Sequence, residues 1–224
     1  MLVDRRVLVK IVDAANIAKS DTVLEVGAGH GILTAELCKA AKSVVSYEVD
    51  KKLYHLTQAR LRFNNLELVN ADLFKTAGLH FDVFASNLPY SRSRDALEWL
   101  ATQEFHRAIA MVQNEFAEKL TAKPGSKNYR AISALAARCF AIEKLFSVGR
   151  KSFEPRPKVE SAVIRIIPVK TVTKETVKRL NLLFSKRNRK ASTVAAKMGV
   201  DVDFGDKRID QLSPDDLIRM TELM

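Results

Sequence analysis

The sequence predicts an α/β fold: a Rossmann-like sheet covered by helices on both faces and followed by a small helical domain. Three observations lead to this prediction. Short β-type runs alternate with helical patterns over the first 120 residues, which is the rhythm of a mostly parallel sheet. A glycine-rich turn closes the first of these runs and opens a helix. After Pro168 the pattern becomes helical throughout.

The β-type runs and the helical patterns follow one another in a regular order. Apolar β runs cover residues 22–26, 43–48, 66–69, 81–86 and 108–112. Helical patterns cover residues 32–40, 51–62 and 131–140. Two later β runs, at 142–148 and 162–167, have no clear helix between them, so we expect them to form an antiparallel pair at one edge of the sheet.

The last part of the chain predicts a separate helical domain. Residues 173–184, 186–198 and 214–223 all have helical spacing. Ser213 and Pro214, followed by two aspartates, form a typical helix start, with a capping serine, proline at the first position and acids in the first turn. We therefore expect a catalytic domain at residues 1–169 and a helical RNA-binding domain at residues 170–224.

The charge balance favours a polyanionic partner. The chain of 224 residues has 37 Lys and Arg against 26 Asp and Glu, which gives a formal net charge of +11. Basic side chains that neutralise phosphates release condensed counterions, so such an excess is typical of nucleic-acid-binding proteins. Charge alone does not separate RNA from DNA or from an anionic membrane, and a basic surface kept for solubility is the alternative.

Other features of the composition argue against several classes of protein. No apolar run approaches the roughly 20 residues that a membrane-spanning helix needs, and the charged N-terminus is unlike a secretory signal. Cys38 and Cys139 lie in apolar helical patterns, which predicts buried thiols, and no clustered Cys/His spacing indicates a metal site. We therefore expect a cytoplasmic protein that does not bind a metal ion or a membrane.

Residues 24–31, Leu-Glu-Val-Gly-Ala-Gly-His-Gly, join the first strand to a helix. Glycines there let the backbone turn sharply and let a ligand approach the main chain. A dinucleotide-binding loop has the spacing G-x-G-x-x-G, whereas here the third glycine comes one residue early and Ile32 stands in the expected place. Preceded by Glu25, the loop with Gly27 and Gly29 favours a ligand without phosphates, such as S-adenosylmethionine.

Two acidic residues follow the next two strands. Glu48 closes the second strand, where a carboxylate can accept hydrogen bonds from both ribose hydroxyls of an adenosine. Asp72 follows the third strand and can accept a hydrogen bond from the adenine amine of the same cofactor. Either acid alone is typical of a surface position or a helix cap, but their combination with the glycine loop predicts a cofactor site.

Asn87, Leu88, Pro89 and Tyr90 follow the fourth strand. Alone, Asn-x-Pro is a common turn start, but beside a cofactor loop this motif suits methyl transfer to the exocyclic amine of adenine. The Asn87 side-chain oxygen and the Leu88 carbonyl can accept the two amine hydrogens and free the nitrogen lone pair. Pro89 fixes the turn, and Tyr90 can stack on a base taken out of its helix. These four residues are the predicted catalytic residues.

Several stretches of the chain, taken together, resemble the KsgA-type small-subunit rRNA adenine dimethyltransferases, and archaeal members most of all. The most specific stretches are the Asn-Leu-Pro-Tyr motif and residues 153–161, Phe-Glu-Pro-Arg-Pro-Lys-Val-Glu-Ser. The other stretches are residues 2–8, 25–34, 70–73, 123–126, 183–185 and 212–214. The resemblance covers nearly the whole chain.

The resemblance implies an activity and a set of cofactor contacts. Members of the family dimethylate two adjacent adenosines near the 3′ end of small-subunit rRNA, so the resemblance implies rRNA or an assembling small ribosomal subunit as the partner. It also implies cofactor contacts at Leu2, Gly27, Glu48, Asp72 and Asn87. We expect the protein to act as a monomer in ribosome biogenesis.

The chain departs from the family pattern at two places. A Gln-Asn-Phe or Gln-His-Phe segment of the family precedes its Leu-x-Asp, whereas this sequence begins at Met1, where the phenylalanine would stand. Since that segment packs over the methionine end of the cofactor, we expect weaker cofactor binding than in a relative that carries it. The second departure is the basic segment Ser-Arg-Ser-Arg at residues 91–94.

Basic residues near the predicted site are candidates for RNA contacts. A second basic cluster lies in the tail at residues 186–190. Any one of these side chains alone is more typical of a solvated surface. The candidates are Arg92, Arg94, Lys123, Lys127, Arg130, Lys151, Arg156, Lys158, Lys186 and Arg187.

Three alternatives remain open at the level of the sequence. The first is the same chemistry on large-subunit rRNA, against which residues 153–161 and the tail argue. The second is DNA adenine methylation, although such enzymes usually have proline at the position of Leu88. The third is a non-catalytic ribosome assembly factor that keeps the fold, against which Asn87 and Tyr90 argue.

Overall fold

A computed structural model describes residues 2–76, 78–202 and 204–224. The strands are β1 Thr22–Val26, β2 Ser43–Tyr47, β3 Leu66–Val69, β4 Val83–Asn87, β5 Arg107–Gln113, β6 Phe140–Val148 and β7 Ser161–Pro168. The helices are α1 Arg5–Ala15, α2 Ile32–Ala40, α3 Lys51–Arg60, α4 Ser93–Leu100, α5 Asn114–Leu120, α6 Ala131–Cys139, α7 Lys174–Phe184, α8 Ala191–Lys197 and α9 Pro214–Glu222.

The seven strands form one mixed sheet in the order β3-β2-β1-β4-β5-β7-β6. The first five of these strands are parallel, and β7 pairs with β5 in the antiparallel sense. The strand order reverses between β1 and β4, and loops that leave the carboxyl ends of two such strands diverge and leave a crevice. The predicted Rossmann-like α/β fold is confirmed, and β6 and β7 are neighbours at the edge of the sheet as predicted.

Strands β1, β4 and β5 are buried in the middle of the sheet. Val23, Val83 and Ile109 are completely buried, which explains why these strands appear in the sequence as continuous apolar runs. Leu8 and Ile11 of α1 belong to the same hydrophobic cluster. The core therefore fixes the strand ends from which the loops of the predicted site emerge.

Helix α1 is an element that the sequence analysis did not predict. Asp4 caps it, since its carboxylate accepts the backbone N–H of Arg6 at 3.0 Å. Leu8, Ile11 and Ala15 form its buried stripe, at a spacing of three to four residues that suits one helix face. Charged residues lie between these positions, so the buried stripe does not appear as an apolar run in the sequence.

The chain divides into two compact units by its own contacts. The first comprises Met1–Ser93, Glu104–Asn114 and Glu143–Ile167, and the second comprises Arg94–Gln103, Glu115–Ile142 and Pro168–Met224. The boundary predicted from the sequence, between residues 169 and 170, stays a prediction about functional domains. The second unit also contains segments that precede this boundary.

Helices of the chain's last part surround their own core in the second unit. Leu180, Leu183 and Leu217 are buried there. The Ser213 side chain accepts the backbone N–H of Asp216 at 3.1 Å, which confirms the predicted start of α9.

The predicted helix at residues 186–198 is wrong in its first part, because α8 begins only at Ala191. Residues 186–190 form a turn whose backbone pairs with a later segment. The Arg187 carbonyl accepts from Asp210, the Arg189 carbonyl accepts from Ile209, and Lys190 forms a β-bridge with Arg208. The basic cluster of the tail therefore lies on a loop.

The thiols of Cys38 and Cys139 are both free and buried, as predicted. Within residues 2–76, 78–202 and 204–224, no helix combines the length and apolar character that a bilayer crossing requires. In the same part of the chain, no group of three or more His, Cys, Asp or Glu side chains is arranged to hold a metal ion.

Candidate active site

A cavity of about 470 Å³ lies at the carboxyl ends of β1 to β4, wholly within the first compact unit. This volume falls in the range of small-molecule sites, roughly 300–1,000 Å³. All the cofactor-binding and catalytic residues predicted from the sequence line it, namely Leu2, Gly27, Gly29, Glu48, Asp72, Asn87, Leu88, Pro89 and Tyr90. The structure therefore brings the separate motifs together around one space.

The glycine loop after β1 forms one wall of the cavity. Gly27 has a φ of 79°, and its N–H donates to the Tyr47 carbonyl at 2.7 Å, which holds the loop against the end of β2. A Cβ at Gly27 would lie 3.4 Å from Pro89 Cδ. A Cβ at Gly31 would lie only 2.9 Å from side-chain atoms of Thr57. The left-handed backbone conformation favours glycine at both positions, and at Gly31 a Cβ would also clash with its neighbours.

Glu48 presents a fixed pair of acceptor oxygens to the cavity. Its Oε2 accepts the N–H of Gly29 at 2.8 Å, and its Oε1 accepts the N–H of Asp50 at 2.9 Å. The residue is 6% exposed. Each carboxylate oxygen can accept a second hydrogen bond, so the side chain is oriented to accept two hydroxyl hydrogens of a diol.

Asp72 has a partner that the sequence analysis did not identify. Its Oδ1 accepts the N–H of Phe74 at 3.1 Å, and Nη2 of Arg92 donates to Oδ1 at 3.0 Å and to Oδ2 at 3.2 Å. The Arg92 guanidinium also lies 4.8 Å from the centre of the Phe74 ring. Arg92, which we predicted as an RNA contact, thus lines the cavity and pairs with a predicted cofactor residue.

Glu25 lies buried beneath the glycine loop and lines the cavity. Its Oε2 accepts from the hydroxyls of Thr34 and Ser46, each at 2.6 Å. Burial, and to a smaller extent the nearby Glu48 carboxylate, raise the pKa of Glu25 to about 7, although both hydroxyls act in the opposite direction. Sequence patterns identify the acid before the loop, but they do not show that it titrates near neutral pH.

The Asn-Leu-Pro-Tyr motif begins at the last residue of β4 and ends in a short 3-10 helix, Tyr90–Arg92. The Leu88 side chain is 2% exposed, which anchors the motif in the core. The Tyr90 hydroxyl lies 2.6 Å from the hydroxyl of Ser161, which is fully buried at the start of β7. Ser161 therefore holds the aromatic ring of Tyr90, a role that no sequence spacing indicates.

Leu2 and the segment before β7 form another wall of the cavity. Leu2 forms an isolated antiparallel bridge with Phe153, and the N–H of Val3 donates to the Ser152 carbonyl at 2.8 Å. Leu2 is 2% exposed and Phe153 is 7% exposed. Pro155 and Pro157 also line the cavity, so residues 153–161 belong to the site as well as to the resemblance.

The other predicted RNA contacts lie in different surroundings. Arg94 donates to Glu98 at 2.7 Å and to Asn181 at 2.6 Å. Exposed positions are occupied by Lys123, Lys127, Lys151, Arg156, Lys158 and Lys186, whereas Arg130 and Arg187 are half-buried. Their contacts with RNA stay predictions.

Solved methyltransferases share this architecture. A dimethyladenosine transferase from Plasmodium falciparum has a TM-score of 0.79 and 28% identity, over 98% of this chain and 95% of the other. The 23S rRNA methyltransferase ErmE has a TM-score of 0.69 and 24% identity, over 99% of this chain and 98% of the other, which shows a shared fold. The fold and the cavity thus define a Rossmann-like methyltransferase.

The chain belongs to the ribosomal RNA adenine dimethylase family, whose model matches residues 1–218. A Thermotoga maritima protein named "Ribosomal RNA small subunit methyltransferase A" is 33% identical over 99% of this chain and 81% of its own length. A Pyrococcus abyssi protein named "Probable ribosomal RNA small subunit methyltransferase A" is 32% identical over 100% of this chain and 88% of its own length. The predicted resemblance is confirmed, and archaeal proteins are among the relatives.

The pKa of Glu25 gives a prediction about folding stability. A carboxyl that binds its proton more tightly in the folded state than in the unfolded state makes the free energy of unfolding decrease as pH rises. We expect the difference in this free energy between wild type and Glu25→Gln to change between about pH 4.5 and about pH 7, with the wild type losing stability. The change should reach about 3 kcal/mol, from 1.36 kcal/mol per pKa unit.

Denaturant unfolding followed by circular dichroism across that pH range measures this difference. Glu67→Gln, at an exposed position of β3, is the matched control and should follow the wild-type curve. A difference between wild type and Glu25→Gln that stays constant with pH would contradict the prediction.

Proposed function

We propose that the protein is an S-adenosylmethionine-dependent methyltransferase that dimethylates the exocyclic amines of two adjacent adenosines near the 3′ end of small-subunit rRNA. One observation supports this activity above all others. The glycine loop and the Asn-Leu-Pro-Tyr motif line a single cavity, with Gly27 directly against Pro89. Membership of the adenine dimethylase family and the names of the relatives favour the small-subunit RNA over large-subunit RNA and over DNA.

The residues of the cavity fit S-adenosylmethionine. The backbone of the glycine loop leaves room for a ligand beside the main chain, since it carries no side chain at Gly27 or Gly29. Glu48 holds two oriented oxygens for a ribose diol, and Asp72 offers an acceptor for an adenine amine. When bound, this cofactor would supply an electrophilic methyl group on a sulfonium centre.

Asn87 and Leu88 prepare the target amine. Its nitrogen is a poor nucleophile, because the lone pair is delocalised into the purine ring. The Asn87 side-chain oxygen and the Leu88 carbonyl accept hydrogen bonds from the two amine hydrogens. These hydrogen bonds move the nitrogen towards tetrahedral geometry. The same two oxygens stabilise the positive charge that develops on nitrogen. The surplus proton of the methylated amine leaves to water, so the chain needs no strong base at this position.

Tyr90 and the glycine loop align the target base with the methyl donor. A base that is taken out of its stack loses stacking energy, and an aromatic ring beside the site restores part of it. Ser161 holds the Tyr90 ring through its hydroxyl, 2.6 Å away. Because Pro89 lies against Gly27, the loop that would hold the target amine is next to the loop that would hold the methyl donor. Such positioning supplies much of the rate.

The cytoplasmic location, the monomeric state and the assembling subunit as substrate stay predictions.

Asn87→Ala should reduce methyl transfer by at least about 100-fold, because it removes one of two preorganised hydrogen-bond acceptors. Incorporation of labelled methyl groups into small ribosomal subunits that lack the modification measures this loss, with mapping of the methylated bases. Asn87→Asp keeps an acceptor oxygen and should retain more activity. Asn64→Ala, at an exposed turn position, is the control. Undiminished transfer by Asn87→Ala would refute the mechanism.

Tyr90→Phe and Ser161→Ala should each lower kcat/KM by a few fold, and the double variant should lose no more than either single variant. The two hydroxyls form one hydrogen bond, so their losses should be coupled. Tyr90→Ala should lower kcat/KM by about 5- to 140-fold, since stacking of a base on an aromatic ring contributes about 1–3 kcal/mol. Tyr54→Phe, on α3, is the matched control. Fully additive losses in the double variant would contradict a shared role.

Lys186→Gln combined with Arg187→Gln should flatten the salt dependence of rRNA binding. Each phosphate contact contributes about 0.7 to 0.9 to the slope of log K against log salt, so the slope should fall by roughly 1.4 to 1.8. Filter binding across a salt series measures it. Lys174→Gln combined with Lys178→Gln removes the same charge from exposed positions of α7 and serves as the control. An unchanged slope would contradict RNA binding by the tail cluster.

A further inference from the structure

The proposed chemistry leaves the basic segment at residues 91–94 without a role. Its Arg92 is half-buried and turns into the cavity. The guanidinium forms an ion pair with Asp72, in which the Arg92 side chain is 33% exposed and the Asp72 side chain is 22% exposed. It also lies over the Phe74 ring at 4.8 Å, so contacts on two sides fix its position.

The contacts of Asp72 restrict what a ligand can find there. A carboxylate oxygen accepts about two hydrogen bonds. Oδ1 accepts from the Phe74 N–H at 3.1 Å and from Arg92 at 3.0 Å, whereas Oδ2 accepts from Arg92 at 3.2 Å. Among the described residues, these hydrogen bonds occupy both acceptor sites of Oδ1 and one of the two acceptor sites of Oδ2. The remaining position on Oδ2 is therefore the one that a ligand amine can occupy.

We propose that Arg92 is a specificity-determining residue of the cofactor site, which positions Asp72 and sets how strongly it discriminates at the 6-position of the cofactor purine. This proposal rests on the proposed function, since it requires the adenosine of S-adenosylmethionine to lie against Asp72. Arg92 orients the carboxylate so that Oδ2 meets the 6-amino group. It also balances the charge of the carboxylate next to the purine edge.

The balance of charge determines which purines the site accepts. A 6-amino group donates to Oδ2, whereas a 6-oxo group would place a second oxygen against the carboxylate. The Arg92 cation lies about 3 Å from both carboxylate oxygens and reduces that repulsion. Since both side chains are partly buried, solvent screens the interaction less than at the surface. Without Arg92, the lone charge of Asp72 should reject a 6-oxo purine more strongly.

The ratio of two dissociation constants tests the proposal. Isothermal titration calorimetry gives the Kd of S-adenosylhomocysteine and of S-inosylhomocysteine, which differ in the 6-amino and 6-oxo groups. We expect the inosyl-to-adenosyl ratio of Kd to rise about tenfold in Arg92→Leu, as expected for an uncompensated charge beside an acceptor. Arg92→Gln, which also removes the charge, should change the ratio in the same direction. Arg92→Lys keeps the charge and should stay near the wild-type ratio.

Two controls separate specificity from damage to the fold. A variant that merely loosens the site weakens both ligands and leaves the ratio unchanged. Arg60→Leu, at the exposed end of α3, removes one arginine outside the cavity lining and should leave both Kd values unchanged. In an Asp72→Asn background, Arg92→Leu should hardly change the ratio, because the charge through which Arg92 acts is already absent.

Each outcome bears directly on the proposal. An equal ratio in wild type and Arg92→Leu would overturn it, and so would a full rise in the Asp72→Asn background. If the wild type binds S-adenosylhomocysteine but the ratio of Kd values is unchanged in the variants, the role of Arg92 is overturned and the proposed function is not. No binding of S-adenosylhomocysteine by the wild type would overturn the proposed function together with this proposal.

Discussion

The loops that follow β1 and β4 approach each other and line one cavity. Gly27 follows β1, Pro89 follows β4, and a Cβ at Gly27 would lie only 3.4 Å from Pro89 Cδ. Because β1 and β4 are adjacent where the strand order reverses, the other loops turn away on either side of this contact. The two motifs are distant in the sequence, but the sheet fixes their separation. The residues that follow β2 and β3, Glu48 and Asp72, line the same cavity.

Three carboxylates in the cavity show how one chemical group acquires different properties. Glu25 is buried and accepts hydrogen bonds from two hydroxyls. Glu48 accepts hydrogen bonds from two backbone N–H groups, and Asp72 accepts them from a guanidinium. A buried carboxylate needs such donors, because the loss of hydration is costly. Burial raises the pKa of Glu25 to about 7 although both hydroxyls act against it, so this carboxyl can hold a proton near neutral pH. The backbone fixes the direction of Glu48, and the arginine adds a compensating charge at Asp72.

Much of the site follows from the sequence because carboxyl ends of parallel strands meet at one edge. Loop spacing and the positions of Gly27, Glu48 and Asn87 at the ends of predicted strands were sufficient to place them around one space. The Arg92–Asp72 pair was missed, because contacts between side chains of separate loops leave no periodic signal. The same reason applies to Tyr90 and Ser161. The tail cluster was misread as helical, since its backbone is paired with residues 208–210 rather than within itself.

The bridge between Leu2 and Phe153 has a consequence for how the cavity arises during synthesis. These two residues lie near opposite ends of the first compact unit, and both line the cavity. A contact between such distant positions in the chain forms late, because closure of a long loop costs conformational entropy before any contact compensates for it. While translation is still short of Phe153, the nascent chain therefore has the glycine loop and all three carboxylates but not the wall that Leu2 and Phe153 form. Completion of the cavity is tied to release of most of the polypeptide from the exit tunnel.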